Sequence, residues 1–127
     1  TCFAVHAGKQ ILEIESFGPD DSFEYIPYAP SNPLLIHKTI RFPDAVGREA
    51  PVSSLITEIK KIIHKYVELP EVFEAIAVHY VLLIWLYDHF NELPYLRVRG
   101  DYGSGKTRFL TVVGSLCYKP IIASGAS

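Results

Sequence analysis

The sequence predicts an α/β fold, built as a partial core of strand, glycine loop, helix and strand, preceded by two helices and an N-terminal β-rich segment. Three observations carry this expectation. Gly100 to Thr107 matches the pattern G-x-x-x-x-G-K-[ST] at every fixed position, with a short apolar run before it and a helical pattern after it. Two stretches between Pro51 and Asn91 repeat their apolar residues at helical spacing. The first 45 residues instead carry short apolar runs separated by glycine, proline and aspartate clusters.

Taken in order, Phe3 to Ala7, a Gly8-Lys9 turn and Gln10 to Glu15 predict a β-hairpin. Gly18-Pro19-Asp20-Asp21-Ser22 predicts a turn, Phe23 to Ile26 a short strand stopped by Pro27, and Leu34 to Ile40 a further strand after the Pro30–Pro33 loop. These define a first region, 1–45, as a β appendage or the end of an upstream domain. The linker-like run Phe42 to Arg48 leads into a second region, 46–127, which holds the helical lead-in and the glycine loop.

From Pro51 to Leu69, Val52, Leu55, Ile56, Ile59, Ile62, Ile63 and Tyr66 form one face of an amphipathic helix. Glu58, Lys60, Lys61, His64, Lys65 and Glu68 form a face expected to be solvated. Pro70 suits a first helical position, and Glu71 and Glu74 complement the dipole of a second helix running to about Asn91. Its run from Ala75 to Tyr87 is apolar on nearly all sides, too short to span a membrane, and is expected to be buried, with His79 as a core histidine bonded to a neighbour. His79 and His89 lie too far apart along a straight helix to share a metal. Tyr95 to Arg99 is the strand before the loop, with Arg97 and Arg99 on the face of Tyr95, either open to solvent or met by acidic groups elsewhere. Lys106 to about Tyr118 is the helix after it, and Pro120 to Ala123 a strand expected to run parallel to the first.

Composition sets bounds on function. A hydrophobic fraction of 49% with 20% charged residues fits a globular domain, and a net charge of −2 gives no overall basic field to attract nucleic acid. Cys2 and Cys117 are far apart and show no metal-ligand spacing, so they are expected to be reduced thiols in a cytoplasmic protein. No basic start followed by an apolar core marks a secretory signal.

The motif has a definite chemistry. By composition alone a chain of this length matches it about once in a few hundred sequences. Gly100, Gly103 and Gly105 are expected to adopt conformations closed to other residues and to let the backbone approach an anion. The amides from Gly103 to Thr107, Ser104 and Gly105 included, then point inward as a nest at a helix N-terminus. Lys106 places a charge at the β- and γ-phosphates of ATP and is the candidate catalytic residue. Thr107 offers its hydroxyl to Mg²⁺, and Arg108 completes the nucleotide-binding set.

Trp85, Tyr87-Asp88, Phe90, Leu93-Pro94-Tyr95-Leu96-Arg97-Val98-Arg99-Gly100, Gly103-Ser104-Gly105-Lys106-Thr107-Arg108, Lys119-Pro120 and Ala123 to Ser127 together resemble the ATPase domains of AAA+-like primase–helicases encoded by phages and other mobile elements. The likeness covers about a third of the chain. It implies a P-loop NTPase whose Walker A loop is Gly100 to Thr107, a homo-oligomer that couples ATP hydrolysis to movement on DNA during replication. It places the acidic Walker B residue and any arginine finger beyond residue 127 or on a neighbouring subunit, so the chain is expected to be one piece of a longer protein and inactive by itself. A regulatory NTPase switch is the chief alternative. A small-molecule kinase fits less well, because about 94 residues precede the strand, and a non-enzymatic interaction module remains open for residues 1–127.

Overall fold

The computed structural model describes residues 2–7, 10–20, 22–43, 45 and 47–121. It divides into two compact units, Thr1–Thr39 and Ile40–Ser127.

The first unit holds two separate antiparallel hairpins. β1 (Phe3–Ala7) pairs with β2 (Gln10–Ile14), running from Phe3 opposite Ile14 to Ala7 opposite Gln10. β3 (Phe17–Asp20) pairs with β4 (Phe23–Tyr25), and the ring of Phe17 stacks on that of Tyr25. The expected Gly18–Ser22 turn is tighter than its sequence suggests. Gly18 and Pro19 extend the strand, and the reversal falls after Asp20, whose carboxylate accepts from the Ser22 amide at 2.9 Å. The strand expected from Leu34 to Ile40 is replaced by the short helix α1 (Pro33–Ile36). Asn32 accepts from the Leu34 amide at 2.9 Å and Pro33 presets the first helical turn, so the cap outweighs the β-branched pattern that follows it. None of the described residues of this unit is buried.

The second unit is organised by three helices, α2 (Val52–Tyr66), α3 (Glu71–Trp85) and α4 (Lys106–Leu116). Their core is Ile63 of α2, Ala77, Val78 and Val81 of α3, and Phe109 and Val113 of α4, with Leu96 and Val98 packed against it. Spacings of four residues put Ala77 and Val81 on one stripe of α3 and Phe109 and Val113 on one stripe of α4. At the far end of α4 the Trp85 indole N–H donates to the Leu116 carbonyl at 2.9 Å, tying the ends of α3 and α4 together.

Three expectations change here. α3 is not buried all round: it stops at Trp85, a short 3-10 turn follows at Tyr87–His89, and Val72, Phe73 and Ile76 are exposed. α2 and α4 cover only one of its sides. His79 is likewise exposed, and the neighbour its Nδ1 meets is the Ala75 carbonyl one turn back, at 2.7 Å. Third, the strand expected at Tyr95–Arg99 is not formed: the segment has no regular secondary structure and no ladder partner among the described residues. Leu96 and Val98 alternate inward while Tyr95, Arg97 and Arg99 are exposed, so the period-two pattern is realised without a sheet. Of the second strand, Ile121 forms an isolated antiparallel bridge with Ile40, and residues 122 and 123 lie outside the described residues.

The solvated face expected on α2 is partly engaged. The Glu74 carboxylate, buried at 4% exposure, lies 3.5 Å from Lys60 Nζ and 3.0 Å from His64 Nδ1. An ionised carboxylate is costly to bury unless paired, and here the first turn of α3 also favours it. No helix among the described residues is long and apolar enough to cross a membrane.

Candidate functional site

Gly100 to Gly105 form the connection from the Tyr95–Arg99 segment into α4. Two glycines turn the backbone. Gly103 has φ +80° and Gly105 φ +79°, both in the left-handed region where a side chain is strained. Gly105 is itself the cap residue from which α4 starts. Gly100 departs from the expectation made for it, because its φ is not left-handed.

Helix geometry leaves the first amides of α4 without intrahelical acceptors. The first backbone bond into the helix is from the Phe109 amide to the Gly105 carbonyl at 3.0 Å, so the amides of Lys106, Thr107 and Arg108 precede the ladder. One amide of the nest expected from Gly103 to Thr107 is already bonded within the loop. The Ser104 amide donates to the Asp101 carbonyl at 3.2 Å, closing a turn within the loop.

Lys106 folds over the loop. Its ammonium donates to the carbonyl of Gly100 at 2.8 Å, to the carbonyl of Asp101, and to the hydroxyl of Ser104 at 3.2 Å. Gly100, Ser104 and Lys106 are thus brought together, six residues apart in sequence at most. Thr107 and Arg108 are exposed on the first turn of α4. Asp101 is exposed as well, and its carbonyl accepts from the ammonium. Phe109, at 8% exposure, anchors this first turn to the core.

No family model matches the chain, and no curated protein or solved structure matches it either. The function must therefore be read from the residues themselves.

Chemically, the loop and the start of α4 put a helix dipole, unbonded amides and two cationic side chains, Lys106 and Arg108, at one exposed end of the helical unit. That combination suits a multiply charged anion. No carboxylate lies in the first turn of α4 to compete with it. Among the described residues no group of three His, Cys, Asp or Glu side chains could hold a metal.

At the other end of α4, partial burial pushes the Cys117 thiol above its ordinary value. A recess of about 130 Å³ lies beside it, lined by Arg41, Phe42, Trp85 and Lys119 among others. Helix α4 separates this recess from the loop. What sequence reading missed was the inward contact of Ser104 with Lys106. The motif leaves position 104 free, so nothing in its pattern marks the residue.

Proposed function

We propose that Gly100 to Thr107 binds the triphosphate of ATP with Mg²⁺, and that the chain is the ATP-binding part of a DNA-directed motor ATPase of the replication type. The observation that carries the nucleotide reading is the start of α4 at a left-handed Gly105, directly after a loop whose carbonyls and Ser104 hydroxyl hold the Lys106 ammonium. Loop amides would receive the phosphate oxygens, Lys106 would neutralise charge on the β- and γ-phosphates, and Arg108 would add to that field. Mg²⁺ would be held by the Thr107 hydroxyl and phosphate oxygens, supplying further charge neutralisation. The motor, DNA and homo-oligomer parts rest on the resemblance running from Trp85 to Ser127, and a cytoplasmic location fits the free thiols of Cys2 and Cys117.

Titration calorimetry with Mg-ATP tests the site. Lys106→Ala removes a charged contact worth ~1.5–3 kcal/mol, so affinity should fall about tenfold to a hundredfold. Equal affinity in wild type and variant would remove the loop as the site. Hydrolysis asks for more than phosphate positioning: an acid-held metal, an oriented water and added positive charge on the γ-phosphate. Residues 1–127 are accordingly expected to bind ATP without appreciable phosphate release. A longer chain or assembly that supplies those groups should release phosphate, faster with single-stranded DNA present. Turnover indifferent to DNA would favour a regulatory switch instead.

A further inference from the structure

We infer that Ser104 is a positioning residue for Lys106, and that Gly100 is required because any side chain there would displace the Ser104 hydroxyl. The inference rests on the phosphate-loop reading for its functional consequence, but the contacts behind it belong to the protein without nucleotide.

An ammonium has three donors and no acceptor. Lys106 finds three oxygens, the carbonyls of Gly100 and Asp101 and the Oγ of Ser104. Two of these are backbone and survive any substitution at their positions. The third is a side chain that the motif does not specify. Ser104 is held where it can serve, because its own amide donates to the Asp101 carbonyl that also accepts from Lys106.

The glycines of the loop fall into two kinds. A Cβ built on Gly103 or Gly105 meets nothing within 4 Å, and these two are needed for their left-handed backbone. Gly100 is the reverse case. Its backbone is not left-handed, but a Cβ there would stand 2.7 Å from Ser104 Oγ and 3.4 Å from Ser104 Cβ. The first distance forces a shift and the second is ordinary contact. An added methyl therefore collides with the hydroxyl alone. Moving that hydroxyl weakens the third bond to Lys106, and the ammonium loses part of the geometry that is set before an anion arrives. Preset charge is worth more than charge that must be reorganised on binding.

A double-mutant cycle separates this role from a general need for glycine. Wild type, Gly100→Ala, Ser104→Ala and the double variant are compared by two readouts. Without nucleotide, the rate of acetylation of the Lys106 amine is followed by mass spectrometry at fixed pH. With Mg-ATP, affinity is measured by calorimetry. Ser104→Ala should speed Lys106 acetylation about threefold and weaken ATP binding about threefold to tenfold, as expected for the net contribution of one ordinary hydrogen bond. Gly100→Ala should do the same when Ser104 is present, and change either readout less than about twofold when residue 104 is alanine. Both positions are exposed, so melting temperatures should stay within error of wild type.

Equal penalties for Gly100→Ala in the two backgrounds would overturn the inference and leave Gly100 needed for the backbone or the ligand. Unchanged acetylation in Ser104→Ala would overturn the positioning role. If acetylation follows the cycle but wild type shows no ATP binding, the contact network stands and the nucleotide reading fails.

Discussion

Helices α3 and α4 lie in the same unit and share a core, yet they begin in opposite ways. α3 starts after Pro70 with Glu71 and Glu74 in its first turn, so the positive end of its dipole faces carboxylates of its own. Glu74 is then buried between α3 and α2, where Lys60 and His64 reach it. α4 starts at Gly105 with no acidic residue in its first turn and with Lys106 and Arg108 in their place. Its positive end is increased rather than offset. One helix start is satisfied within the protein and serves packing. The other is left electrostatically open and exposed, which is the state an anion site requires.

The largest expected effect comes from removing the anchor that lets α4 stay open. Phe109→Ala should cost about 3–5 kcal/mol of stability, as for other buried aromatic truncations, because Phe109 is the core residue nearest the loop. Urea denaturation measures it. A loss below about 1 kcal/mol would mean that α4 is held by Val113 and its far end alone.

Glu74→Gln tests the closed start. It keeps the shape but removes the charge opposite Lys60 and His64, whose side chains are 48% and 71% exposed, so the full cost of breaking a buried pair does not apply. A loss of about 1 kcal/mol is expected, with Mg-ATP affinity unchanged. A change in affinity would show that the two helix starts are coupled.

The smallest effect should come from making α4 begin as α3 does. Arg108→Glu puts a carboxylate in the first turn of α4 and should raise stability by ~0.3–1 kcal/mol at low salt. The same change should weaken ATP binding severalfold, since it replaces a cation by an anion beside the phosphates. Stability and affinity moving in the same direction would contradict the assignment of this helix start to an anion.

Much of this molecule is legible locally. The N-terminal hairpin, the helices α2 and α4 and the left-handed turns at Gly103 and Gly105 follow from short-range pattern, because helix periodicity and glycine's freedom act within a few residues. Local signals can also compete: at Asn32-Pro33 a cap won over the apolar run that follows it. Tyr95 to Arg99 has the residues of a strand, but a strand also needs a ladder partner, and none is found among the described residues.

Other features depended on what comes near in space. An all-apolar α3 looks buried in sequence, but burial needs neighbours on every side, and α2 and α4 supply them on one. Glu74 read as a dipole partner at a helix start, and only packing of α2 against α3 brought Lys60 and His64 to it from more than two turns away in the chain. The sequence by itself determined that a glycine loop with a lysine precedes a helix, since those residue types and spacings are fixed by backbone chemistry. Tertiary structure decided that a side chain at position 100 would meet the Ser104 hydroxyl, because a close approach is a property of two residues placed together, and neither Gly100 nor Ser104 carries it alone.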